Sequence, residues 1–189
     1  PLHTTIEHWL PLSKSKETAL DYQNFLATCK GGSDIDASAL KGTRLLCCDA
    51  NKGDNDALTL DPRNKEMLSG ITYLSDGIME YQDTPPFDCF AIQNDIDKIL
   101  RLNGKIDSEH ICRQDTSTQL VKHRKDVFQN TEQICIDCLT RGILTVEWLD
   151  SKIQECLSRE RREDFAGVAI FVYKTYLNRL QERRHLQEG

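Results

Sequence analysis

An α/β fold is what this amino-acid sequence predicts, on three observations. Short apolar runs bounded by turn residues read as buried strands, and amphipathic stretches at helical spacing lie between them. Their order along the chain is strand, helix, strand, strand, helix, strand, helix, which suits helices packed on a largely parallel sheet. With 189 residues, 39% of them hydrophobic, the chain can bury one solid core with helical additions but hardly two full domains.

The elements follow in order. From Ser15 to Cys29 the residues Leu20, Phe25, Leu26 and Cys29 approximate one face of a helix, which Gly31-Gly32 ends. A polar loop runs to about Ala39. Lys41-Gly42-Thr43-Arg44 then leads into Leu45-Leu46-Cys47-Cys48, a short apolar run read as a buried strand, and Asp49 to Asp56 is a turn-rich loop. Between Leu60 and Leu74 the residues Met67, Leu68, Ile71 and Leu74 keep helical spacing. Asp76-Gly77 breaks that helix, and Ile78 to Tyr81 forms a brief strand. After Thr84-Pro85-Pro86, Phe87 to Ile92 is a second buried strand candidate. Asp95 to Leu102 reads as helix on Ile96, Ile99 and Leu100, and Asn103-Gly104 stops it.

Residues Asp107 to Lys125 are polar and carry no clear period. Beyond them, Thr131 to Leu139 fits a helix with Ile134, Cys135, Cys138 and Leu139 on one face. Arg141-Gly142 stops it, Ile143 to Val146 is a four-residue strand, and Glu147 opens a helix to about Leu157. The last helix covers Phe165 to about Arg184, with Phe165, Val168, Ala169, Val172, Tyr176 and Leu180 in one stripe.

Composition narrows the function. A formal net charge of −6 counts against binding nucleic acid by overall charge. Arg159-Glu160-Arg161-Arg162 and Arg183-Arg184-His185 are local basic patches that allow at most weak DNA contact. No apolar run reaches bilayer-spanning length, so no membrane is expected as a partner, and no secretory signal is expected at the N-terminus. The eight cysteines sit mostly beside apolar residues and are expected to be reduced core thiols. Cys135-x-x-Cys138 has the spacing of a zinc or redox pair, but both thiols lie on an apolar helix face and no second close pair accompanies them. Neither metal nor cofactor is therefore expected. Ser33 and Ser69 lack the setting of an activated nucleophile, and no Gly-rich phosphate loop is present, so no enzymatic activity is expected.

The segment from Thr131 to Cys156 points further. Its centre, Arg141-Gly142-Ile143-Leu144-Thr145-Val146-Glu147-Trp148-Leu149, resembles the end of a BRCT domain, where a helix ends on Gly, a short strand follows and a Trp starts the last helix. Gly142 would let the chain leave the helix at positive φ, and Trp148 is expected to be buried in the core. The resemblance implies a single BRCT-like domain over residues 40–157, with a small parallel four-stranded sheet flanked by helices. Residues 1–39 would then be a helical extension and 158–189 an amphipathic helix packing on the domain.

Two registers fit upstream. In the longer one the first strand is residues 43–48, Phe87 to Ile92 is the third, and an insertion lies near 94–129. In the compact one Phe87 to Ile92 is the first strand, Asn103-Gly104-Lys105-Ile106 the turn and Ser117 to Val121 the third strand. The longer register uses more of the chain and is preferred.

What the family implies is binding of phosphorylated peptides by a hydroxyl and a backbone N–H after the first strand and a Lys on a later helix. A dianion suits such donors. The matching positions here are Asp49, Ala50 and Asn51 after the first strand in the longer register, Gln93 and Asn94 in the compact one, and Thr131 and Gln133 on the helix, with Lys52 in the first loop and Lys122, His123, Arg124 and Lys125 just upstream of the helix as nearby cations. They supply no hydroxyl after the strand, and Gln133 stands where the family often has Lys. The expected function is thus a non-enzymatic protein-interaction module for phosphorylated partners, monomeric or weakly dimeric, in a nuclear protein of chromosome maintenance, DNA-damage response or chromosome segregation. The alternatives are a BRCT-type structural or dimerisation module without phosphate recognition, and an unrelated α/β enzyme.

Overall fold

The computed structural model describes residues 4–35, 44–53, 56–82, 84–158 and 163–188. It mixes helix with strand, and among the described residues the sheets are three antiparallel two-stranded pairs rather than one parallel four-stranded sheet. Contacts divide the chain into two units, Pro1–Leu74 with Ile78–Lys122 and Ser75–Gly77 with His123–Gly189.

The first unit opens with β1 (Thr4–His8) paired to β2 (Phe25–Cys29). The helix expected over Ser15 to Cys29 is replaced by turns, a 3-10 turn at Tyr22–Asn24 and β2 itself, which leaves Leu20 and Tyr22 exposed. The side chain of buried Asn24 is the reason. Its Oδ1 accepts from Leu10 N at 2.8 Å and its Nδ2 donates to Leu10 O at 3.0 Å, so an amide side chain takes the place of a ladder partner.

Of the strand expected at 43–48, the described residues 44–48 form none. Residues 44–47 are unpaired by any strand, and α1 (Asp49–Lys52) follows directly. Their backbone bonds go singly to distant partners: Leu45 N to Ser117 Oγ (2.9 Å), Cys47 N to Gly31 O (3.1 Å) and Cys48 N to Leu100 O (2.7 Å). The Lys41-Gly42 approach to that strand lies outside the described residues.

After Asn64, whose side chain caps it, α2 (Lys65–Ser69) is a single turn of the longer helix expected over Leu60 to Leu74. β3 (Ile71–Tyr73) and β4 (Met79–Tyr81) form a hairpin, with β4 where the sequence places a brief strand.

α3 (Cys89–Asn94) replaces the strand expected at Phe87 to Ile92. Asp88 caps it through Ala91 N at 3.0 Å, and Ile92 and Ile96 are fully buried at helical spacing while Phe90 is 85% exposed. The helix widens into a π-type turn over Asp95–Ile99, shorter than the expected Asp95 to Leu102. β5 (Lys105–Ile106) and β6 (Cys112–Gln114) close the unit, within the span read as illegible or as insertion. The third strand of the compact register, Ser117 to Val121, is a turn running into a helix.

β4 takes no third strand because two amides occupy its outer edge. Asn103 Oδ1 accepts from Met79 N (2.8 Å) and its Nδ2 donates to Met79 O (2.7 Å), while Gln93 Oε1 accepts from Tyr81 N (2.7 Å). Buried backbone donors need partners, and here side chains supply them. The core beneath consists of Leu60, Met67, Met79, Tyr81, Ile92 and Ile96.

The second unit is helical. α4 (Leu120–Thr140), whose first residues belong to the first unit, contains the expected Thr131 to Leu139 helix and extends it by three turns. Gly142 at φ +71 ends it as the sequence implies, with Gly142 N bonded to Leu139 O and Ile143 N to Cys138 O. Those bonds explain why the expected strand at Ile143 to Val146 is absent: its backbone donors close the helix instead. Gly142 is exposed, so its part is conformational and it does not belong to the core.

α5 (Val146–Ser158) begins on Thr145, whose Oγ1 accepts from Trp148 N at 3.1 Å. α6 (Ala166–Glu188) packs on α5. Cys135, Cys138, Leu144, Leu149, Ile153, Val172 and Tyr173 make the core. Trp148 is half-buried rather than buried, edge-on to Tyr173 with centroids 6.0 Å apart.

Candidate functional site

Among the described residues, a concentration of unpaired charge lies in the first unit, between the π-type turn and the β5–β6 hairpin. A cleft of about 620 Å³ there carries Lys98, Arg101, Lys105 and His110 on its walls, with the exposed ring of Phe90 beside them. Local structure places each one. The widened turn turns Lys98 outward, Arg101 reverses the chain at φ +51, Lys105 starts β5, and His110 closes the hairpin at φ +56. Left-handed φ is uncommon for residues other than glycine, and such positions cluster at ligand sites.

Two carboxylates share the cleft, and both are already engaged. Asp97 accepts from Asn103 Nδ2 at 2.7 Å through one oxygen and from Gln93 Nε2 at 2.9 Å through the other. Asp107 accepts from Glu109 N (2.9 Å) and Ile111 N (3.0 Å) and pairs with Arg113. The Ile111 amide first, then Arg113 and the Glu109 amide, hold the Asp107 carboxyl below its ordinary range. Among the described residues no ion pair involves Lys98, Arg101 or Lys105. Exposed Lys98 and Lys105 and half-buried Arg101 thus share one concavity whose acids are turned to structural work.

One residue singled out from sequence reaches this site from behind. Asn51 Nδ2 donates to the carbonyls of Lys98 and Ile99, both at 2.9 Å, and so satisfies acceptors of the widened turn and fixes the wall that carries Lys98.

The other expected phosphate-binding residues divide between the two units. Lys52 is buried and its Nζ donates to His8 O at 2.8 Å, while Asp49 lies against the Glu7 carboxyl in a cleft of about 390 Å³. Burial first and the Asp49 carboxyl second raise the Glu7 pKa, so that cleft repels rather than attracts an anion. Ala50 is half-buried and brings no side-chain donor. Lys122, on the first turn of α4, is exposed, and its backbone N–H bonds Asp115 at 2.8 Å.

In the second unit Arg124 is buried and its Nε donates to Gly77 O at 2.7 Å. His123 stacks edge-on to Phe165, and Lys125 is exposed. Thr131 is buried with its hydroxyl bonded to Val127 O (2.8 Å), and Gln133 bonds Asp137 (2.8 Å). The basic patch Arg159 to Arg162 lies outside the described residues.

Sequence reasoning passed over Lys98, Arg101, Lys105 and His110 because they look like ordinary solvated charges between two apolar elements. The signal available was their density around Asn103-Gly104, a chain reversal that gathers residues on both sides of it. No family model matches the chain, and no curated protein matches it in sequence.

Proposed function

We propose that this chain is a non-catalytic protein-interaction module that binds a phosphorylated segment of a partner protein through the cleft of Lys98, Arg101, Lys105 and His110. The observation that carries the reading is the convergence of three cations outside any described ion pair beside two carboxylates whose oxygens are engaged. A phosphate dianion fits such a cluster, since charge-assisted bonds from Arg and Lys are the strong ones and a guanidinium can bond two oxygens at once. Phe90 offers an apolar face for a residue flanking the phosphate.

A peptide is favoured over nucleic acid by charge. The chain carries −6 overall, and a non-specific grip on a polyanion needs a broader basic surface than one cleft. The resemblance of the Thr131 to Cys156 segment to BRCT domains supports the ligand class and the nuclear, chromosome-associated setting as parts of the same proposal. The parallel sheet of that family is not part of it, because residues 44–47, 89–92 and 143–145 are not strands.

The test is a titration of the whole chain with a degenerate phosphoserine and phosphothreonine peptide library and its dephosphorylated twin. The phosphorylated library should bind at least tenfold more tightly, and Lys98→Glu with Lys105→Glu should remove that preference, each lost pairing being worth roughly tenfold. Both lysines are exposed, so circular dichroism should be unchanged. Equal binding of the two libraries overturns the proposal. Preferential binding of single-stranded DNA would reassign the cleft to nucleic acid.

A further inference from the structure

Three of the eight thiols meet in the first unit. Cys29 ends β2, and Cys47 and Cys48 end the extended run before α1. The Cys48 thiol donates toward Cys47 Sγ at 3.8 Å, and the sulfur of Cys29 is an alternative acceptor for the same S–H. Cys47 is fully buried and lies 3.3 Å from Thr118 Oγ1, Cys48 is half-buried, and Cys29 is exposed to solvent. Gly31 makes the meeting possible. At φ +54 it lies so close to the Cys47 carbonyl that a Cβ there would come within 1.9 Å of the oxygen, so only glycine lets the two segments touch.

We infer that Cys29, Cys48 and Cys47 form a thiol centre that reacts with hydrogen peroxide, in which Cys29 is oxidised and Cys48 resolves it as a disulfide. An exposed thiolate with a second thiol in contact is the arrangement that gives reversible oxidation. Its surroundings favour the chemistry. The Cys48 thiol donating to it, with backbone N–H groups near Gly31 assisting, brings Cys29 down to about 6. Cys47 is lowered in the same way when it, rather than Cys29, takes the single Cys48 S–H, with Thr118 assisting, and holding that shared proton keeps Cys48 well above the ordinary thiol range.

The steps balance. The Cys29 thiolate attacks one peroxide oxygen, an S–O bond forms as the O–O bond breaks, and the departing hydroxide takes a proton to become water. Oxidation removes the Cys29 thiolate that held the Cys48 proton, so Cys48 gives that proton up as its sulfur attacks the sulfenic sulfur; the S–O bond breaks and the hydroxyl leaves with the proton as a second water. One peroxide is reduced and two thiols are oxidised. Cys47 is a positioning residue whose sulfur accepts the Cys48 S–H and orients it.

Two measurements test this on the intact chain. Treatment with one equivalent of hydrogen peroxide should remove two of the eight titratable thiols and give a Cys29–Cys48 crosslink by peptide mapping, reversed by a reductant. Cys48→Ser should instead accumulate a dimedone-reactive sulfenic acid at Cys29, and Cys29→Ser should give neither product. Alkylation by iodoacetamide separates the centre from an ordinary surface thiol by pH. At pH 7 the larger thiolate fraction is nearly offset by lower intrinsic nucleophilicity. At pH 6 Cys29 should react roughly tenfold faster than glutathione. A crosslink mapping to another pair, oxidation of Cys29→Ser at the wild-type rate, or alkylation at pH 6 no faster than glutathione would each overturn the inference. The wild-type map and alkylation profile decide it even if a serine variant fails to fold.

Discussion

The two units are built on different chemistry. In the first, polar side chains bond the backbone of residues far away in sequence: Asn24 to Leu10, Lys52 to His8, Gln93 to Tyr81, Asn103 to Met79, and buried Asp95 to the amides of Thr59 (2.6 Å) and Leu60 (2.7 Å). In the second, apolar side chains on α4, α5 and α6 close over one another, and the polar bonds mostly stay within a turn of their own helix, as Thr131 to Val127 and Gln133 to Asp137 do. Short hairpins with few paired residues leave backbone groups over, and specific amides must take them up. Long helices satisfy their own backbone and need only an apolar face.

The contrast is sharpest at single polar residues. Asn103→Ala leaves the buried Met79 N–H without its partner and removes the shorter of two bonds to Met79 O and one of two to Asp97, so the first unit should lose about 2–3 kcal/mol, since each buried unsatisfied group costs about 1–3 kcal/mol. Trp9, bonded through Nε1 to Leu60 O at 3.1 Å, is the reporter: its unfolding transition should move to lower denaturant. In the second unit Gln133→Ala, which breaks an exposed bond within one helix, should cost no more than about 0.5 kcal/mol. A loss below about 1 kcal/mol for Asn103→Ala would erase the distinction.

An apolar truncation is the matching probe of the second unit. Leu149 is fully buried among Cys135, Leu144 and Val172, and Leu149→Ala should cost about 3 kcal/mol, read from Trp148 fluorescence on denaturation. Thr145→Ala, which deletes only the cap at the start of α5, should cost about 1 kcal/mol. The reverse ranking would mean that capping rather than packing holds these helices.

The same difference decides what the sequence makes legible. The helical unit is local, and the period of Cys135, Cys138, Leu149, Ile153, Val168 and Val172 carries it, so three helices are readable in order, and all but the first three turns of α4 in place. What fails there is the strand at Ile143 to Val146, four apolar residues whose backbone is spent on the helix end before them. In the first unit, apolar runs are equally plain but their partners are not. Leu45 to Cys47 looks like a buried strand because it is extended and apolar, yet its hydrogen bonds go to Gly31 and Ser117, which no periodicity reveals. Phe87 to Ile92 fails for another reason, the Asp88 cap, which was visible in the sequence and outweighs the apolar run. The basic cleft was illegible because it depends on where the chain reverses at Arg101 and Asn103. Asn51 of the longer register holds its wall from behind, and Gln93 and Asn94 of the compact register line it.

The smallest effect concerns a polar contact that opposes folding. Glu7 lies half-buried beside the Asp49 carboxyl, and burial first, then that neighbour, raises its pKa above 4.5. A carboxyl with a raised folded-state pKa makes the native state bind more protons than the unfolded chain between its ordinary and raised values. Stability therefore falls as pH rises through that window, and the full penalty is present at neutral pH. Glu7→Gln removes the charge and keeps the shape, so Tm should rise by about 1–2 °C at pH 7. The gain should fade as pH falls toward 4.5 and vanish below it, where Glu7 is protonated in both states. Thermal melts of both proteins across that range check the sign, and a gain that persists at pH 4 would trace the effect to something other than the Glu7 charge. Because Lys52 sits beside this pair with its ammonium held by His8, the outcome also measures how little of that cation reaches the neighbouring acids.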